Sequence, residues 1–175
     1  TILPTFTLSQ QLRLGAHRLT LELFEITSEE EYEAYLDLER FHYRSSPSLI
    51  EQEEPVDTRG GGRKGVIMAS LMIGKKKTYV GYIELTMPLM MVAPRHKAFA
   101  RPFKHSLRKI QWEKWDQNSL KENLNVIVRI ARVVTHPIFR GLGLSHRLIE
   151  AAEKYSINHW HIGGRTPIFI EISAE

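Results

Sequence analysis

Cysteine is absent from this sequence of 175 residues. Its absence excludes disulfide bonds, zinc sites built on thiolates and a cysteine nucleophile, and it is typical of a reducing compartment. Long apolar runs are lacking too, since no stretch approaches the roughly 20 residues that a membrane helix needs. Residues 1–4 have neither the basic start nor the apolar run of a signal peptide. We therefore expect a cytoplasmic protein without a membrane partner. Because the initiator methionine is also lacking, we expect part of a longer chain or a processed product.

Net charge is low, at +4, but the two signs are separated along the chain. Residues 22–54 are acidic, whereas residues 95–114 are basic. Such a basic block attracts the phosphates of nucleic acid or an acidic partner, or it forms the solvated face of a helix, and both interpretations stay open. The apolar spacing of Phe99, Phe103 and Ile110 favours helix in part of this block. Its cationic side chains are Arg95, Lys97, Arg101, Lys104, Arg108, Lys109 and Lys114.

The length and a hydrophobic content of 42% predict a single domain, residues 1–175. We divide it into an acidic strand–helix unit (19–44), a basic insertion (94–124) and a core (125–175). Ser28 and Glu31 have the capping-box spacing, which predicts a helix from there to about Tyr43. Apolar patterns predict strands at 19–26, 66–73, 79–91, 125–135 and 167–172, with a second long helix beginning near Leu144. Because residues 125–135 are apolar on both faces, we expect that strand to be central.

A glycine-rich turn separates the strand at 125–135 from the helix that follows it. Glycines allow close approach of a ligand to the backbone, and the unpaired amides of a helix N-terminus attract anions. The turn therefore predicts a diphosphate site, or else it is an ordinary strand-to-helix connection. It is neither a dinucleotide fingerprint nor a Walker A loop, because a third glycine and a Gly-Lys-Ser/Thr ending are lacking. The turn consists of Arg140, Gly141, Leu142, Gly143, Leu144 and Ser145.

The segment from Val133 to Ile149 resembles motif A of the GNAT acyltransferase superfamily. Arg140 and Gly143 match the motif, while Ser145 stands where glycine or alanine is usual. The resemblance implies that Arg140 to Ser145 bind the diphosphate of an acyl-coenzyme A such as acetyl-CoA. It also implies that Val133 and Val134 line the pantetheine arm, and that residues 125–175 are the acyl-CoA-binding core.

The order of predicted elements is also similar to the GNAT series. It implies an α+β fold with a mixed, mostly antiparallel central sheet flanked by helices, without the C-terminal helix and strands of the family. Within the superfamily, Ile130 to Pro137 resembles the acetyltransferase-like module associated with ABC-type ATPases. Phe41-His42-Tyr43 and the basic insertion resemble the phage Mom-type DNA adenine modifiers.

Acyl transfer to an amine needs a base for the amine proton and a donor for the leaving thiolate. The candidates are His42, Glu84 on the strand at 79–91, and Glu171 on the last strand. We expect both glutamates to face solvent more readily than a cleft, and His42 to be structural. The helix that carries the usual catalytic tyrosine of the family is missing, so no acid is assigned.

Three further side chains stand out by their surroundings. Arg132 lies within an apolar strand and needs a partner, for which we name Glu171 or an acidic ligand. His136 is expected to cap the end of its strand. No metal site is predicted, because His159 and His161 are too close together and have no third ligand nearby in the sequence.

Three hypotheses follow. The first is an acyl-CoA-dependent transferase, most readily an N-acetyltransferase, acting on an amine acceptor. The second is a nucleic-acid-binding or nucleobase-modifying domain that uses Arg95 to Lys114. The third is a catalytically inactive GNAT-fold interaction domain.

Overall fold

The computed structural model describes residues 5–41, 62–89, 95, 97, 103–105, 110–112 and 117–172. Eight strands and three α-helices have their bounds within these ranges, and Arg95 and Lys97 are also helical. The strands are β1 (Thr7–Leu14), β2 (His17–Glu25), β3 (Lys64–Ile73), β4 (Lys76–Thr86), β5 (Phe103–His105), β6 (Ile110–Trp112), β7 (Ile127–Thr135) and β8 (Phe169–Ile172). The helices are α1 (Glu29–Glu39), α2 (Gln117–Asn123) and α3 (Leu144–His159).

One six-stranded sheet organises the chain, with the strand order β1-β2-β3-β4-β7-β8. Every neighbouring pair is antiparallel except β7 and β8, which run parallel with α3 as their crossover. A separate antiparallel ribbon joins β5 and β6. The expected α+β class with a mixed, mostly antiparallel sheet is confirmed.

Several element boundaries differ from the prediction. Strand β1 was missed because its sequence is polar, and only Leu12 of its residues is buried. Strand β4 ends at Thr86 rather than Met91, ahead of Pro88, whose ring cannot donate to a ladder. Helix α1 ends at Glu39 instead of Tyr43.

Helix was expected in part of the basic block, and Arg95 and Lys97 are helical, but the expectation is wrong for Phe103 and Ile110. Phe103 and Ile110 belong to the β5–β6 ribbon. Aromatic and β-branched residues satisfy a strand as readily as a helix when the pattern is short. The expected central place of the strand at 125–135 also needs correction, since β7 is next to last in the sheet.

Helix α3 covers one face of the sheet, the α3 face. The side chains expected to form its apolar stripe are all buried: Leu144, Leu148, Ala151, Ala152 and Tyr155. They pack with a large cluster that includes Leu85 and Ile130 from the sheet. The opposite face, the α1 face, holds a smaller cluster in which Tyr35 and Leu38 of α1 meet Tyr82 and Val134.

Strands β4 and β7 pair closely, with one irregularity between Glu84 and Leu85. Ala131 is the extra residue, because Glu84 pairs with Arg132 and Leu85 pairs with Ile130. At the other end of the pair, a Cβ on Gly81 would lie 2.6 Å from the carbonyl oxygen of Val134, so only glycine allows this approach. The bulge shifts by one residue the alternation of β7 side chains between the two faces of the sheet. It places Arg132 on the α1 face while Ile130 stays in the α3-face cluster.

Replacing Leu148 with alanine tests the α3-face core. Leu148 has no exposed surface, so we expect Leu148→Ala to lower the free energy of unfolding by about 2–5 kcal/mol. Ile157 of the same helix is 57% exposed, and Ile157→Ala should cost about 0.5 kcal/mol. Urea unfolding followed by circular dichroism measures both, and equal losses would contradict this packing.

Candidate functional site

The turn after β7 begins with a cap. Nδ1 of His136 accepts a hydrogen bond from the amide of Ile138 at 3.3 Å, at the start of a 3-10 turn over Pro137–Phe139. The expected capping role of His136 is confirmed. Gly141 and Gly143 then follow with φ angles of 86° and 69°, which L side chains rarely adopt. The two glycines therefore let the chain reverse into α3 without strain.

The backbone amides from Gly141 to His146, here called the cradle, have no hydrogen-bond acceptor among the described residues. The first amide of this segment with a partner is that of Arg147, which donates to the carbonyl of Gly143 at 3.3 Å. Gly143 is the N-cap of α3 and supplies no side-chain acceptor. Because α3 has 16 residues, its dipole adds positive potential at this end. The cradle is electrostatically suited to an anion.

The space around the cradle is open. A Cβ on either Gly141 or Gly143 would meet no heavy atom within 4 Å. Arg140 is exposed at the rim, and the hydroxyls of Thr135 and Ser145 lie 3.2 Å apart, joining the strand end to the helix start. A phosphate group could thus approach the amides directly.

Strand β7 ends at the cradle, and no described strand pairs with the half of its outer edge that is nearer to the cradle. Strand β8 pairs with residues Ile127 to Ile130 only. His136 donates to Val80 of β4 at 2.9 Å, and the Val134 carbonyl also faces β4. Successive residues of an antiparallel strand direct their backbone N–H and C=O groups to opposite edges, so the N–H and C=O of Val133 face away from β4. The backbone of Val133 is therefore placed to pair with an extended ligand. The backbone of Val134 already pairs with β4, and its side chain is buried under α1.

Glu84 differs from the solvent-facing interpretation, because it has no exposed surface. The bulge and the alternation of β4 direct it toward α1. The hydroxyl of Tyr35 lies 2.8 Å from its Oε2, and Nζ of Lys64 lies 3.1 Å from the same oxygen. The other carboxylate oxygen, Oε1, is buried and has no hydrogen-bond partner in the part of the chain that the structure describes. Glu84 thus has one oxygen, Oε2, bound by Tyr35 and Lys64, and one oxygen, Oε1, that can still accept a hydrogen bond or a proton.

Tyr35 links Glu84 to a second carboxylate. Its hydroxyl lies 2.9 Å from Oε1 of Glu39, and Nζ of Lys64 donates to it at 2.8 Å. Burial, followed by the hydrogen bond to Glu84, raises the pKa of Tyr35 well above its usual range. The phenol therefore keeps its proton, and one proton can serve only one of the two carboxylates at a time.

Arg132 finds a different partner from the one expected. Its Nη1 lies 2.9 Å from Oε1 of Glu39, across from α1. Glu171 is instead held by Arg95, whose Nε and Nη2 lie 2.6 Å and 2.5 Å from its two carboxylate oxygens. The predicted need of Arg132 for a carboxylate was right, but the named carboxylate was wrong, because Glu171 faces the start of β7 and not its bulge.

Of the two catalytic candidates that the structure describes, only Glu84 has an oxygen left to accept a proton. Glu84 lies beside the bulge of β7, and Glu171 has both oxygens occupied by Arg95. His42 lies outside the described residues, as does most of the basic block. Arg95 is 5% exposed and paired, so it is not available to the phosphates of a nucleic acid.

Sequence reasoning did not find Tyr35, Lys64 or Glu39. A weak signal existed, since Glu84 and Arg132 are charged residues within two apolar strands and both need partners. The sequence does not show which helix covers them.

Comparisons of this chain with protein-family models, with curated proteins and with solved structures find no match. Within the described ranges, no helix is long and apolar enough to cross a membrane. No group of three or more potential metal ligands occurs there either.

A double-mutant cycle tests the pairing of Lys64 with Glu84. Lys64→Met leaves a buried carboxylate without its cation, so we expect a loss of about 2 kcal/mol in the free energy of unfolding. Glu84→Gln in the same chain removes that charge and should recover at least half of the loss. Urea titration gives the coupling energy, with Lys76→Met, at an exposed lysine, as the control. An unchanged cost of Lys64→Met in the Glu84→Gln background would show that the two groups are not coupled.

Proposed function

We propose that this chain is an acyl-CoA-dependent N-acyltransferase, as its resemblance to the GNAT superfamily implies. The observation that carries the proposal is the cradle, whose amides from Gly141 to His146 have no acceptor among the described residues. Leaving several adjacent donors unused is unfavourable unless solvent or a ligand satisfies them. A diphosphate supplies several acceptor oxygens and two negative charges to the positive end of α3.

The edge of β7 that no described strand pairs with suits the part of acyl-CoA beyond the diphosphate. From His136 back to Ala131 the strand spans about 16 Å at ~3.3 Å per residue, which is comparable with an extended pantetheine arm. The N–H and C=O of Val133 would pair with the amides of that arm. The thioester would then lie near the bulge at Ala131, where the pairing with β8 begins.

Glu84 is the proposed base. The amine nitrogen of the acceptor attacks the thioester carbonyl carbon, the carbon–sulfur bond breaks, and the thiolate leaves. Oε1 of Glu84 accepts the proton that the nitrogen loses, and that proton ends on the thiolate, giving an amide and coenzyme A. Tyr35 and Lys64 hold the other oxygen of Glu84 in place. Removal of such a base lowers the rate by about 10²–10⁴.

Substitution of Ser145 tests the cradle through its backbone. Proline is tolerated in the first turn of a helix, and the amide of Ser145 donates to no described residue, so Ser145→Pro removes one backbone donor without breaking a described backbone hydrogen bond. The side-chain hydrogen bond to Thr135 is lost in Ser145→Pro and in Ser145→Ala alike. We expect the Kd for coenzyme A, measured by calorimetry, to rise about tenfold or more. Ser145→Ala keeps the amide and should change the Kd less than about threefold. Equal affinities for all three proteins, or no heat with the unchanged chain, would refute the cradle.

Glu84→Gln tests the base. Coenzyme A release from acetyl-CoA in the presence of primary amines should slow at least a hundredfold or so, with an unchanged Kd for coenzyme A. Glu153→Gln, on the exposed side of α3, is the control and should leave the rate unaltered. A fall in affinity equal to the fall in rate would point to misfolding rather than to a missing base.

A further inference from the structure

Arg129 is a buried cation whose Nε and Nη1 have no acceptor among the described residues. It lies on β7 and is 8% exposed, and both of these nitrogen atoms are buried. A guanidinium cannot shed its proton in a protein, so it stays charged there. Burying such a charge without a compensating group is strongly unfavourable, and this position therefore requires an anion.

The carboxylate opposite Arg129 on β8 is already occupied. Glu171 is the register partner of Arg129 on β8, so the two side chains share one face of the sheet. Both oxygens of Glu171 are bound by Arg95, which is itself 5% exposed. Two buried guanidinium groups thus share the register position of one carboxylate, and among the described residues no acceptor is shown for Arg129.

A neutral donor completes the site. Thr86 of β4 is directly opposite Arg129 in the register. It is 1% exposed, and its hydroxyl also has no hydrogen-bond partner within the described ranges. A hydroxyl beside a guanidinium suits an oxyanion, which would accept a hydrogen bond from each.

The site lies beside the reacting groups of the proposed transfer. Thr86 and Glu84 are two residues apart on the same face of β4, which separates their Cα atoms by about 7 Å. Arg129 is two residues before Ala131, and the pairing of β7 with β8 ends at Ile130. Unused donors at Arg129 and Thr86 therefore lie next to the unused acceptor of Glu84, Oε1.

We propose that Arg129 and Thr86 form a buried oxyanion site for the acceptor substrate, which is a small molecule bearing an amine and, a few bonds away, a carboxylate or a phosphate. The amine occupies the side of Glu84 and the oxyanion occupies the side of Arg129. The existence of the oxyanion site is independent of the transferase reaction, whereas its assignment to the acceptor rests on the proposed function.

Thermal unfolding of the whole chain in sodium phosphate or sodium acetate, against sodium chloride of equal ionic strength, tests the site itself. We expect a saturable rise in Tm with one or both anions. Arg129→Met should abolish that rise and should be at least as stable as the unchanged chain in chloride, because it removes an unpaired buried charge. Arg18→Met, at an exposed arginine of β2, is the control and should keep the response.

The proposal is overturned if neither anion raises the Tm of the unchanged chain. It is also overturned if the rise in Tm is equally large in Arg129→Met, since phosphate stabilises proteins by general exclusion as well. Should Arg129→Met fail to fold, Arg129→Lys and Thr86→Val replace it. Calorimetric affinity for phosphate or acetate, whichever raises Tm, must then fall at least about fivefold in both variants, and unchanged affinity overturns the proposal.

Acceptor pairs test the assignment and distinguish the two oxyanions. β-Alanine is compared with propylamine, and phosphoethanolamine with ethanolamine, in acetyl-CoA turnover. We expect kcat/KM to favour one anionic member by about ten- to a hundredfold, and Arg129→Met to remove the preference while the Kd for coenzyme A stays the same. Equal turnover of all four overturns the assignment. Failure of coenzyme A to bind defeats the proposed function and this assignment but leaves the anion measurements standing.

Discussion

The pairing of β4 with β7 determines the rest of this structure. It is close at Gly81, where only a hydrogen atom fits against the carbonyl of Val134, and it is irregular at Glu84, where Ala131 adds a residue. Without that extra residue, Arg132 would point toward the α3 face, where the apolar core offers it no carboxylate. The bulge therefore keeps the sheet apolar beneath α3 and allows charged groups beneath α1.

Those charged groups stabilise one another in matched pairs over part of the α1 face. Lys64 and Arg132 supply two positive charges to Glu84 and Glu39, and Tyr35 joins the two pairs. The balance fails farther along β7, where Glu171 is the one described carboxylate in register with Arg129 and is already paired with Arg95. A protein retains such an imbalance at a cost in stability, and buried groups of this kind are concentrated where ligands bind.

Much of the fold was predictable because the signals were local. The capping box of Ser28 and Glu31 begins α1 as expected, and the stripe from Leu144 to Tyr155 is the buried face of α3. The glycines of the cradle were recognisable for the same reason, since positive φ angles are required within a few residues of one another. Strand β1 gave no such signal, because an edge strand with one buried side chain has the composition of a loop.

The polar interior could not be predicted, since it depends on contacts between residues far apart in the sequence. Glu84 appeared solvated because isolated glutamates usually are, and its burial follows from where α1 crosses the sheet. The choice between Glu39 and Glu171 for Arg132 depends on the bulge, which no residue type announces. Charge alone also misjudged Arg95, a member of a basic run that is nonetheless buried in an ion pair.

The single phenolic proton of Tyr35 makes the interior and the end of α1 parts of one system. While Glu84 is a carboxylate, both it and Glu39 compete for that proton. Once Glu84 has taken up a proton of its own, it needs Tyr35 less, and the phenol can donate to Glu39 instead. Glu39 is the last residue of α1 and also holds Arg132 of β7. Protonation of Glu84 would thus change the contact between α1 and β7 at the point where the chain leaves α1.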